Sequence, residues 1–177
     1  ASTARRDALL AASQFIAAAY DLWHQNYPEG VFNCGNLSVG PGKFNIIPDT
    51  AEVAIELRHT ETDIMDKWKD RIMALADEMA ANNGIEVKNR HCLRYVPAST
   101  LPEHIVGTIE GVCKTLNINH TRLISYAGHD AQVMSSFTPT GMIFVPSVGG
   151  ISHSPREFTQ WDHVVKGANA LLHTALT

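Results

Sequence analysis

The chain has 177 residues, 45% hydrophobic and 18% charged, with a formal net charge of -4. That is enough to bury a core in one domain or two small ones, and it excludes a disordered chain. The acidic balance gives no basic footprint for nucleic acid and no polybasic membrane patch, and no apolar run reaches the about 18 residues of a membrane-spanning helix.

The start, Ala1-Ser2-Thr3-Ala4-Arg5-Arg6-Asp7, has no signal-peptide h-region and no initiator Met, which points to a processed, cut or tagged start. Helical spacing of Leu9, Ala12, Phe15, Ile16, Ala19 and Trp23 predicts a helix from Ala8 to about Gln25. Tyr27-Pro28-Glu29-Gly30 ends it, and Val31 to Val39 reads as a strand broken by Gly40-Pro41-Gly42. Val53, Ile55 and Leu57 alternate with Glu52, Glu56 and Arg58, so Ala51–His59 is a half-buried strand. Thr60 and Asp63 resemble a capping box for a helix with Met65, Trp68, Ile72, Leu75 and Met79 on one face. Asn82-Asn83-Gly84 stops it, and Ile85 to about Tyr95 reads as a strand again. Two helices on one face of an antiparallel sheet is the natural packing, in an α/β sandwich whose first strand is missing.

The pattern changes near Val96-Pro97-Ala98-Ser99. A helix is expected over about Glu103–Leu116, a short strand over Thr121–Ser125, and a short helix after Gly128-His129-Asp130. Thr140 to Pro146 reads as a continuous, fully buried strand. Gly149 to Ser154 is a loop, and Thr159 and Asp162 are placed to cap a last helix over about Asp162–Ala175. The alternation is α/β, but with so few strands this half reads as the tail of a larger sheet.

Cys34, Cys92 and Cys113 are odd in number and widely spaced, as idle thiols of a reducing compartment such as the cytoplasm would be. Histidine stands out, with nine in the chain. His153, in Gly150-Ile151-Ser152-His153-Ser154, follows the apolar strand, where open α/β sheets place ligands. It reads either as a metal ligand or as an idle loop histidine. His129 opens a helix; its neutral ring could donate to a developing oxyanion, or do nothing. Asn45 and Arg58 come from neighbouring elements and could converge on a substrate carboxylate, the guanidinium fork matching it bidentately. Alternatively, Arg58 is a surface residue paired with Glu56 or Glu52. No G-x-S-x-G elbow, P-loop, G-x-G-x-x-G or H-E-x-x-H occurs.

In chain order, Arg5-Arg6-Asp7-Ala8-Leu9, Phe44-Asn45-Ile46-Ile47-Pro48, Leu57-Arg58-His59, Ala127-Gly128-His129-Asp130-Ala131, Met142-Ile143-Phe144-Val145-Pro146-Ser147 and Gly150-Ile151-Ser152-His153-Ser154-Pro155-Arg156-Glu157 resemble one group. It is the allantoate amidohydrolase, N-carbamoyl-L-amino-acid hydrolase and β-ureidopropionase group of binuclear metallohydrolases, within the aminoacylase and carboxypeptidase-G-like metallopeptidases. The resemblance implies that residues 1–94 are a dimerisation or lid-like α/β sandwich lacking its first strand. Residues 95–177 would be the C-terminal part of an α/β metallopeptidase-type catalytic domain.

It further implies two divalent ions, zinc or manganese, in the complete enzyme, with His153 as the one metal ligand in this chain. Asn45 and Arg58 would bind the carboxylate of a small-molecule substrate, and His129 would sit beside the scissile ureido group. The partners implied are the N-terminal part of the same enzyme and a second copy through the first domain. Two departures stand out. The group's Asp-x-Arg-His reads Glu56-Leu57-Arg58-His59, and its His-Ala-Gly stretch before Arg5 reads Ala1-Ser2-Thr3. The other metal ligands, the bridging aspartate and the general-base glutamate would all precede residue 1, so this chain is not expected to run the chemistry alone. The competing reading is a non-catalytic dimerisation or ligand-binding module that keeps Asn45 and Arg58.

Overall fold

The computed structural model describes residues 5–177, in two compact units divided after Ala98. The opening Ala1–Ala4, including the stretch compared with His-Ala-Gly, lies outside the described residues.

In the first unit, helix α1 (Ala8–Asn26) is followed by strands β1 (Val31–Gly40) and β2 (Thr50–Arg58) and helix α2 (Thr62–Asn82). Asp7 starts α1: its carboxylate accepts from the Leu10 N–H at 3.1 Å and from the Arg5 guanidinium at 2.6 Å. The Arg5 bond, then the Leu10 N–H, hold the Asp7 carboxyl below its usual range. A motif noted above only for its resemblance therefore has a local purpose, as a helix N-cap.

β1 and β2 form an antiparallel hairpin from Val31 opposite Arg58 to Gly40 opposite Thr50, with a bulge between Cys34 and Asn36. Gly35 is the extra residue, and it switches parity. Phe32 and Cys34 before it, and Leu37 and Val39 after it, all face the odd-numbered set Leu57, Ile55, Val53 and Ala51. Without the bulge Leu37 and Val39 would point to the opposite face. The hairpin lies on α1 and α2 around a core of Phe15, Ala19, Phe32, Trp68, Ile72 and Leu75. Gly30 is required there, since a Cβ would lie 2.5 Å from the Trp68 ring and 3.0 Å from the Arg58 carbonyl.

One expectation fails at α2. The capping box of Thr60 and Asp63 does not form. Glu61 is the N-cap without a side-chain bond, and its N–H goes to His59 Nδ1 at 3.0 Å. The end is as expected: Gly84 is left-handed at φ +62°, and the N–H groups of Gly84 and Ile85 reach the carbonyls of Ala81 and Ala80.

The expected strand 85–95 pairs with no described strand. It keeps the strand rhythm at its start, with Ile85 and Val87 half-buried and Glu86 and Lys88 exposed. It then runs back along α2: Arg90 pairs with Asp77, Tyr95 donates to Asp66 at 3.1 Å, and the Ala98 N–H reaches Thr62 at 3.1 Å. A strand needs a neighbour's ladder, and β1 and β2 satisfy only each other. In the split β-α-β-β-α-β arrangement the last strand pairs with the first, the one expected to be lacking here.

The second unit holds α3 (Glu103–Thr115), α4 (Asp130–Met134) and α5 (Trp161–Ala175), with one 3-10 turn at Val148–Gly150. The expected cap by Thr159 and Asp162 is not made; Gln160 precedes α5 without a side-chain bond. The expected strands 121–125 and 140–146 have no ladder among the described residues. Nor is 140–146 fully buried, since Phe144 is 47% exposed. Gly141 packs on Ile105 and Ile109 of α3, and Val145 packs on Gly167 of α5. The segment thus lies on a two-helix layer with its other side open. Arg122 ties segment 121–125 to α3 through Glu103 at 2.6 Å and Glu110 at 2.8 Å. No helix among the described residues is long and apolar enough to cross a membrane.

Candidate active site

Asn45 lies exposed in the turn that closes the β1–β2 hairpin, between Phe44, fully exposed, and Ile46, half exposed. Arg58 ends β2 at the opposite end of the ribbon. The run from Thr50 to Arg58 covers about 26 Å at about 3.3 Å per residue. The loop is anchored at the far end, because its Pro48 carbonyl accepts from the Ala8 N–H at the start of α1, at 3.0 Å. The other end of α1 is near Arg58: Trp23 Nε1 donates to the Gly30 carbonyl at 2.9 Å. The helix from Ala8 to Trp23 is a second ruler of about 22 Å, at about 1.5 Å per residue. Three residues from Pro48 back to Asn45 can recover only about 10 Å. The expectation that Asn45 and Arg58 meet on one carboxylate is therefore corrected for a single chain; antiparallel pairing holds them at the two ends. Here Arg58 is bonded to both oxygens of Glu56, at 2.9 and 2.8 Å.

His129 and His153 each follow an extended segment of the second unit, so they occupy equivalent places in its chain path. His129 is the N-cap residue of α4, which has five residues, too short for the expected dipole effect to weigh much. Its Nε2 lies 2.8 Å from Ser125 Oγ, and the Phe144 ring stands edge-on at 5.3 Å.

His153 is exposed on a loop built by its own motif. Its backbone is left-handed at φ +56°, a strained state for a residue with a Cβ, and Gly149 and Gly150 are left-handed at φ +67°. The His153 N–H donates to Glu157 Oε2 at 2.9 Å, and the Glu157 N–H to the Ser154 carbonyl at 2.9 Å. Ser147 Oγ donates to the Ile151 carbonyl, and Ser152 Oγ lies 2.6 Å from His153 Nδ1. With Nδ1 engaged, Nε2 is the ring nitrogen presented outward, as in metal-binding histidines whose other nitrogen is held by a neighbour. The serines, read from sequence as mere space, are hydrogen-bonding groups. Glu157 had no sequence role beyond its place in the motif, and its bond from the His153 N–H shows what it does.

His153 fits one donor of a metal centre. Among the described residues no group of three histidine, cysteine, aspartate or glutamate side chains could hold an ion, and a catalytic zinc takes about three protein ligands.

The comparisons decide the family. The model of peptidase family M20/M25/M40 matches residues 11–177. The chain belongs to that family. It is 31% identical over 170 residues to an N-carbamoyl-L-amino-acid amidohydrolase of Geobacillus stearothermophilus, covering 96% of this chain and 41% of that one. It is 29% identical over 168 residues to the allantoate amidohydrolase of Bacillus subtilis, covering 94% and 40%. The crystal structure of a hydantoinase/carbamoylase family amidase from Burkholderia multivorans matches with a TM-score of 0.85 and 30% identity, over 97% of this chain and 42% of that one. The Bacillus subtilis YXEP protein, described as a dinuclear metal binding M20 peptidase, shares the fold at a TM-score of 0.72 and 16% identity, over 96% and 46%. This M20 chain thus spans about two fifths of the length of the curated relatives it matches.

Proposed function

We propose that this chain is the C-terminal portion of a metal-dependent amidohydrolase. The reaction is hydrolysis of the carbamoyl C–N bond of an N-carbamoyl amino acid or an allantoate-like substrate. The observation that carries it is the near-complete match of this chain to relatives named for those two substrates. Both offer a carboxylate and a ureido group, the two features for which the chain has candidate residues.

In this reading Arg58 and Asn45 bind the carboxylate from different copies of a homodimer, a reading supported by their separation along the hairpin. The tip of one copy's hairpin brings Asn45 to the site served by Arg58 of the other. Residues 1–94 are the dimerising lid, and residues 95–177 belong to the catalytic domain. His129 donates a hydrogen bond to the ureido oxygen as charge builds on it. His153 Nε2 is one ligand of a pair of divalent ions, zinc or manganese. When bound, the ions supply an activated water and polarise the carbonyl. The N-terminal part of the enzyme contributes the other ligands and the strands that pair with segments 85–95, 121–125 and 140–146. The cytoplasm fits three free thiols.

The test is release of free amino acid or ammonia from N-carbamoyl amino acids and allantoate by the complete protein, with and without a chelator. Metal-dependent turnover of either is expected. A metal-free homodimer that binds carboxylates without turnover would instead establish a binding module.

A further inference from the structure

Ser125 and His129 are both half-buried and lie four residues apart across the turn into α4. Ser125 Oγ lies 2.8 Å from His129 Nε2, a contact in which either atom can be the donor, and 3.5 Å from the Ala127 carbonyl, which can only accept. A hydroxyl has one proton to give. The first distance is an ordinary hydrogen bond, and the second is at the limit where such bonds are weak. A hydroxyl that gives its proton to the shorter contact donates to Nε2; Nε2 is then the bare ring nitrogen, and Nδ1 carries the ring proton. The reverse arrangement, with Nε2–H donating, leaves the hydroxyl only the long Ala127 contact. Phe144, edge-on at 5.3 Å, packs against the ring on one side. Among the described residues no carboxylate bonds the His129 ring, so the pair lacks the third group that would make Ser125 a nucleophile.

We propose that Ser125 is a positioning residue. Its hydroxyl fixes the orientation and tautomer of His129, so that Nδ1–H is the donor the ring offers to a substrate oxygen. The claim about the ring stands on this geometry, and the claim about substrate rests on the proposed place of His129 beside the ureido group. A neutral histidine in water favours the other tautomer, with the proton on Nε2. Fixing the less common form in advance makes the donor available without a tautomer exchange during the reaction.

The experiment reads the two parts separately. Two-bond proton–nitrogen spectra of the full chain, labelled at histidine nitrogen, are recorded at about pH 8.5, above the ordinary histidine range. The His129 signals are identified by their loss in His129→Gln. The expected result is Nδ1–H in the wild type, a shift to Nε2–H in Ser125→Ala, and Nδ1–H retained in Ser125→Thr. Nε2–H in the wild type, or no change in Ser125→Ala, overturns the proposal. In the complete enzyme, Ser125→Ala should lower kcat about tenfold with KM within about twofold, and Ser125→Thr should restore it. A tautomer shift with unchanged kcat removes His129 from the reaction and leaves the ring geometry intact. A fall in kcat without a tautomer shift removes Ser125 as its positioning group and leaves the site reading intact.

Discussion

Arg58 rests on Glu56 at 2.8 Å, with both side chains open to water. Such an exposed pair is worth about 0–1 kcal/mol, so under the proposed function Glu56 is a weak competitor for a substrate carboxylate. Arg58→Ala in the complete enzyme is expected to raise KM about 10- to 100-fold, the loss of a charge-assisted contact. Glu56→Gln, which removes the competitor, should lower KM slightly. Steady-state kinetics checks both, and an unchanged KM in Arg58→Ala would take this residue out of the substrate site. At the other histidine, Ser152→Ala should weaken metal binding about tenfold by freeing the ring that the hydroxyl orients. Competition with a chelating dye measures that, and unaltered affinity would separate Ser152 from the metal. The residue types at these positions were visible in the sequence, but their supports were not. Ser125, Ser152 and Glu157 act through bonds set by local backbone shape, such as the left-handed His153. No periodicity encodes that shape.

Elements were legible where a pattern is self-contained. Both helices of the first unit, and the alternation of β2, follow from side-chain spacing alone. The Gly35 bulge escaped because β1 has to be read against β2 before its break in parity has meaning. Segments 85–95, 121–125 and 140–146 have strand-like composition, but a ladder is a property of two segments, and among the described residues none pairs with them. Gly30 is where the elements are pressed closest. Gly30→Ala should cost about 1–3 kcal/mol by overpacking against Trp68, measured by chemical denaturation; a neutral result would show that the hairpin and α2 can separate there. In the second unit, the Arg122 hydrogen bonds lower the pKa of Glu110 from 4.5 to about 2. The folded-state value is the lower one, so this contribution to stability is present above about pH 4.5 and is lost as the pH falls towards 2. An acid titration of wild type against Arg122→Met should show the difference between them shrinking in that window. A constant difference would mean that the clamp is not ionic.

For the molecule as a whole, the two units differ in how much they bury. The first has an aromatic and aliphatic core centred on Trp68 and Ile72, both fully buried. In the second, only Cys113 and Ala170 are fully buried among the described residues, while Leu123, Ile124 and Phe137 are each more than 60% exposed. Exposed apolar side chains in such number mark contact surfaces. The relatives, of which this chain spans about two fifths, have further chain to supply such contacts. The central claim is that one active site takes Asn45 and Arg58 from different copies. It is tested by mixing two defective versions of the complete enzyme, Asn45→Ala and Arg58→Ala, under conditions that exchange subunits. In a mixed dimer one site inherits both defects and the other inherits neither. The account therefore predicts that a fraction of sites with wild-type KM appears on mixing. Parents whose raised KM persists unchanged after verified exchange would place both residues in the same copy's site and contradict the account.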